Sequence, residues 1–146
     1  MQIFYFLLAI GAGSMSTLQA GINSQLKLTV GPLWAVCVSL AVSVMLTAVV
    51  LLVVRVPMPD RTLVASAPPW VWTGGIFGII FVLAGTVLAP KLGASPYTAA
   101  IIAGQLICSV LLDQFGIVGF AKHSINLERL LGIMLLTAGV LLIRQS

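Results

Sequence analysis

Gln105, Ser109 and Asp113 recur at four-residue spacing inside Gly104–Gly116, a stretch whose surroundings are almost wholly apolar. On a helix, positions i, i+4 and i+8 fall along one face. Asp113 is one of three acids in the chain and the only one that directly continues a long hydrophobic run. An acid so placed is costly in a membrane unless it faces protein, water or a partner charge. Its carboxylate could bind a cation or carry a proton. Equally, it could be a helix-end acid at the membrane interface, paired with Lys122 or another loop base. A second polar set, Ser16, Gln19 and Asn23, sits at i, i+3 and i+7 in the first hydrophobic segment. Its amides offer donors and acceptors to a polar solute, or hydrogen bonds to a neighbouring helix.

The elements that hold these residues must be membrane helices. The chain has 146 residues, of which 60% are hydrophobic and only 7% charged, and its mean hydropathy is +1.19. Soluble domains carry about 25% charged residues, so this composition cannot supply a solvated surface. The expected medium is the lipid bilayer. The length fits about five spans of roughly 20 residues with short loops and leaves no room for a soluble domain. Seven Lys and Arg, scattered singly, form no nucleic-acid patch.

Other chemistries find little support. Cys37 and Cys108 each lie within an apolar segment and are expected to be small, buried packing residues. No Cys/His spacing suggests a metal, and His123 is the sole histidine. No Ser/His/Asp set or phosphate-binding glycine loop appears. The expectation is therefore no enzyme, no cofactor and no metal. Met1-Gln2 supplies only the α-amine toward the positive n-region of a signal peptide, so the first helix is expected to be retained.

The predicted fold is an all-α membrane protein forming a single domain over residues 1–146, with helices at about 3–22, 33–54, 70–89, 97–117 and 127–143. Ser24 to Gly31 is expected to be a loop, closed by the Gly31-Pro32 turn signal. Ser39, Ser43 and Thr47 recur at four-residue spacing in the second helix, where hydroxyls can bond back to the preceding turn. Arg55 to Pro69 carries four prolines and reads as a stiff, exposed connector. Asp60 beside Arg61 is expected to form a weak solvated pair. In the third helix Gly74 and Gly78 form a GxxxG pair expected to serve close helix packing. Pro90 to Pro96 reads as a short connector. Gly116 is expected to take the left-handed cap conformation, and Asn126 to cap the last helix.

Charge placement leaves orientation nearly open. With a cytoplasmic N-terminus, Arg55, Arg61, Lys122 and Arg129 lie inside, while Lys27, Lys91 and Arg144 lie outside. Four against three is a weak bias under the positive-inside rule. Insertion both ways would let an antiparallel pair reproduce the inverted-repeat architecture of many transporters.

Several motifs recur in order along the chain: Gln19-x-x-x-Asn23, Gly74-Gly75-x-x-Gly78, Pro90-x-Leu92-Gly93, Gly104-Gln105, Asp113-x-Phe115-Gly116, Leu131-Gly132 and Gly139. Together they resemble the YdcZ-like family of five-helix bacterial membrane proteins, in the drug/metabolite transporter superfamily. The resemblance implies a multi-pass protein of the bacterial inner membrane. Relatives that occur as paired genes or fused ten-helix chains imply half of an inverted-repeat dimer. The chain is more distantly similar to the four-helix small multidrug resistance transporters. Their first helix carries a glutamate that exchanges protons for cations, whereas here it has Gln19 and Asn23 and no acid.

The function expected from these readings is secondary transport of a small molecule or metabolite. The partner would be a second copy or an oppositely oriented paralogue. Gln19, Asn23, Gln105 and Asp113 are the candidate solute-binding residues. An ion channel or passive pore, or a scaffold subunit without transport of its own, is the alternative; a channel would show conductance without coupling.

Overall fold

The computed structural model describes residues 1–145. Its elements are α1 (Gln2–Val30), α2 (Pro32–Val54), α3 (Arg61–Ser66), a 3-10 turn at Pro69–Thr73, α4 (Gly74–Leu92), α5 (Ala94–Phe115) and α6 (Leu127–Gln145). Two compact units make up the chain, Met1–Pro90 and Lys91–Ser146.

In the first unit α1 packs along α2. The seam is built from small residues: Ala20, Asn23 and Ser24 are buried on α1, and Ala35 and Val36 on α2. Small side chains let two membrane helices approach closely, which matters where lipid supplies no hydrophobic drive between them. The expected loop after Ile22 is absent, because α1 continues to Val30. Asn23 to Val30 contains no glycine or proline to stop a helix, and polarity alone does not end one. Gly31 is the whole link to α2. Its φ of 82° and ψ of 163° belong to a region essentially restricted to glycine. Its carbonyl accepts from Ala35 N–H at 3.0 Å and its own N–H donates to Lys27 O at 2.9 Å, so one residue closes one helix and opens the next.

Arg55 ends α2 in the left-handed conformation. The connector beyond it is not wholly irregular, since α3 forms there with Asp60 as its N-cap. The Asp60 carboxylate accepts from Thr62 Oγ1 at 2.7 Å and from Thr62 N–H at 2.8 Å. Asp60 therefore serves the backbone, where a pair with Arg61 was expected. Trp70 and Trp72 are exposed in the 3-10 turn that leads into α4, as interfacial anchors should be. Pro90 lies inside α4, which runs on to Leu92. Proline lacks the N–H that would bond back one turn, but its fixed φ is helical and the helix ends two residues later. The expected connector at 90–96 shrinks to Gly93, with φ 86° and ψ 156°.

In the second unit α5 packs along α6. Gly116 caps α5 at φ 62° and ψ 41°, and the Gly116 and Ile117 N–H groups both donate to Leu112 O. That double return to one carbonyl satisfies the end of the helix.

Among the described residues four segments are long and apolar enough to cross a membrane: Gln2–Val30, Pro32–Val54, Pro69–Leu92 and Ala94–Phe115. The expected fifth span, α6, is not among them. Its apolar run from Leu130 to Ile143 lies between Arg129 and Arg144. Fourteen residues give about 21 Å of helix, short of a hydrocarbon core of about 30 Å. Cys37 and Cys108 are free and exposed rather than buried, because in a membrane protein an apolar helix can turn its outer face to lipid.

Candidate functional site

A polar junction lies at the α1–α2 seam. Ser39 Oγ receives two amide N–H groups, from Asn23 Nδ2 at 3.2 Å and from Gln19 Nε2 at 3.5 Å. Ser43 and Thr47 instead donate back to the carbonyls of Ser39 and Ser43, the self-contained arrangement that makes hydroxyls cheap in lipid. Ser39 was not among the candidate residues. Its place in the hydroxyl stripe was visible, but the pairing depends on which face α1 turns toward α2.

The junction leaves acceptors over. A serine hydroxyl offers two lone pairs and one proton, and both lone pairs are used by the amides. Neither Gln19 Oε1 nor Asn23 Oδ1 accepts a hydrogen bond from the described residues. Asn23 is only 4% exposed, yet no fully enclosed side-chain oxygen or nitrogen among the described residues lacks a partner. The Asn23 carbonyl oxygen is therefore reachable from outside the seam.

A second polar cluster ties the end of α5 to the start of α6. Arg129 Nη1 donates to Asp113 Oδ2 at 3.1 Å and also lies 3.4 Å from His123 O. The Asp113 carbonyl accepts from His123 N–H at 2.8 Å, and Gln114 Oε1 accepts from Ile125 N–H at 2.8 Å. Asn126 Oδ1 accepts from Arg129 N–H at 2.9 Å, the N-cap expected of it. Asp113 thus pairs with a loop-side base, which proves to be Arg129 and not Lys122. Both side chains are part-exposed, Arg129 at 33% and Asp113 at 27%, so the pair sits at a wet helix end.

The remaining candidates stand apart. Gln105 lies two turns before Asp113 on α5 and is exposed. Ser109 Oγ, between them, donates to Leu106 O at 2.8 Å. Gly74 and Gly78 have no atom within 4 Å of where a Cβ would stand, so α4 presents them without a packing neighbour among the described residues. No group of three His, Cys, Asp or Glu able to hold a metal occurs among the described residues.

Four apolar spans among the described residues, a polar junction buried between two of them and a charged pair at a helix end define a helical membrane protein. The family model that matches is described as "Putative inner membrane exporter, YdcZ", over residues 4–142. The chain belongs to this YdcZ family, as the ordered motifs of the sequence implied, and its place is the inner membrane. No curated protein and no solved structure matches it.

Proposed function

We propose that the protein is a secondary transporter of a small polar molecule or metabolite, working as an antiparallel homodimer or as one half of a paired heterodimer. The observation that carries this reading is Asn23, an amide held inside a membrane hairpin with its carbonyl oxygen unspent. A buried polar group in lipid is expensive and marks a pathway more often than ornament. Gln19 and Asn23 contact the solute. On the second unit, Gln105 is a further contact and Asp113, held by Arg129, acts as a gate at the end of α5.

A second copy is supported by what the single chain leaves open. An exposed glutamine within a membrane span finds no partner in lipid, whereas a facing amide satisfies both its donor and its acceptor. The bare Gly74 and Gly78 face gives another helix a place to approach. The near-even charge balance permits opposed insertion. In this assembly α6 is the fifth span of each protomer. Its short apolar run is accommodated by local thinning of the bilayer.

The test is purified protein in liposomes, assayed for uptake of radiolabelled small carboxylates, amines and sugars with and without a proton gradient. Gradient-driven accumulation that is lost in Asn23→Ala and weakened in Asp113→Asn is expected. Steady conductance without accumulation would replace the transporter by a pore. Unchanged uptake by both variants would remove these residues from the pathway.

A further inference from the structure

We infer that Lys27 belongs to the Gln19–Asn23–Ser39 junction and that the junction takes a small carboxylate bearing its own hydrogen-bond donor, a hydroxy acid or an amino acid. This rests on the solute-binding role proposed for Gln19 and Asn23 and names the class of solute.

Lys27 reads as a loop residue from sequence. In the structure it lies in the last turn of α1, one turn beyond Asn23 and two beyond Gln19, on the face that packs toward α2. It is half-buried, as Ser16 and Gln19 are on the same side of the helix. Side chains on a helix tilt toward its N-terminus, so the Lys27 stem runs back over the turn that carries Asn23.

The C-terminal end of α1 favours this cation, but no carboxylate of its own unit pairs with it. Neither α1 nor α2 contains an acid, and the sole acid of Met1–Pro90 is Asp60, whose carboxylate caps α3. The Asp113–Arg129 pair is the only salt bridge among the described residues. A lysine without a carboxylate partner, on the same helix face as two unspent amide oxygens, is complementary to one anionic group joined to one N–H or O–H donor. A purely cationic solute would meet like charge there. A purely apolar one would strand the amides.

The anion could be carried by a solute or by a lipid headgroup, and the two sources separate experimentally. Binding of lactate, lactamide and 1-amino-2-propanol to the full chain in phospholipid-free detergent compares anion, neutral amide and cation of one size. Calorimetric titration of the wild type should show lactate binding about tenfold more tightly than either analogue. Lys27→Arg should keep that preference and Lys27→Met should abolish it, with both variants retaining the helicity and monodispersity of the parent. Equal binding of the three probes, no binding of lactate, or a preference that survives in Lys27→Met overturns the inference. Displacement of lactate by phosphatidylglycerol would reassign the anion to lipid and overturn the solute assignment. Transport is judged separately: if lactate preference holds and uptake into liposomes fails, the transporter reading falls and the anion site stands.

Discussion

Replacing Asp113 by asparagine keeps the shape of the side chain and removes its charge, so it isolates the ion pair with Arg129. At 3.1 Å the bare attraction is about 1.3 kcal/mol in bulk water and about 5 kcal/mol at an effective dielectric constant of about 20. Neither limit is the net effect. With the two side chains 27% and 33% exposed, water screens the pair, and holding a long arginine in one geometry costs entropy. A net loss of about 1 to 2 kcal/mol follows. The asparagine still accepts a hydrogen bond, and the Asp113 carbonyl still takes the His123 N–H, so the connector should loosen without unfolding. Reversible unfolding in mixed micelles, run on Asp113→Asn, Arg129→Met and the double variant, should return a coupling energy of about 1 kcal/mol. Limited proteolysis between Ile117 and Asn126 should quicken in both single variants. Coupling indistinguishable from zero would refute the claim that this pair anchors α5 to α6. Transport in the same variants separates anchor from carrier. If Asp113 acts as a gate through Arg129, both single variants lose uptake alike; if its carboxylate carries the proton or cation itself, Asp113→Asn alone abolishes coupling.

Gly116→Ala should destabilise the second unit by about 1 to 3 kcal/mol, since φ is 62° and a Cβ would stand 3.0 Å from Lys122 Cβ; thermal unfolding in detergent checks it. Val118 holds a positive φ of 58° beside Gly119 at 84°, in a turn closed by Phe120 N–H on Ile117 O. A β-branched residue is strained there, so Val118→Asn should stabilise by about 1 kcal/mol in the same assay. The Asp60 carboxyl is held below its ordinary value of 3.8, first by the Thr62 hydroxyl and then by the Thr62 N–H. A depressed folded value means that its contribution to α3 is complete above 3.8 and is lost as the pH falls through the lower folded value. Carbon-detected NMR titration should therefore place the Asp60 midpoint below 3.8, and Thr62→Val should return it upward.

The class of protein was written in the composition. In lipid a backbone is satisfied only as helices or a closed barrel, and long continuous apolar runs select helices; the caps at Gly116 and Asn126 follow from local chemistry confined to a few residues. Local polarity and proline do not by themselves stop a membrane helix. Ser24 to Gly31 reads as a loop from its polar residues and its Gly-Pro end, yet in a helix the polarity of Ser24, Gln25 and Lys27 selects a face and does not end the element, and only Gly31 does. Pro90 looked like a boundary, yet a proline in the last turn of a membrane helix forfeits one hydrogen bond and no more.

By itself the sequence determined that the chain is helical, that it lives in the membrane, which family it joins, and that Gln19, Asn23, Gln105 and Asp113 are among the polar residues set in its apolar segments. Only the tertiary structure decided what those residues touch. Gln19 and Asn23 converge on Ser39, which lies 20 and 16 positions away, and Asp113 meets Arg129 at 16. Helical periodicity says which residues share a face. It is silent on which face meets which, because that depends on how small residues at the seam let two helices approach.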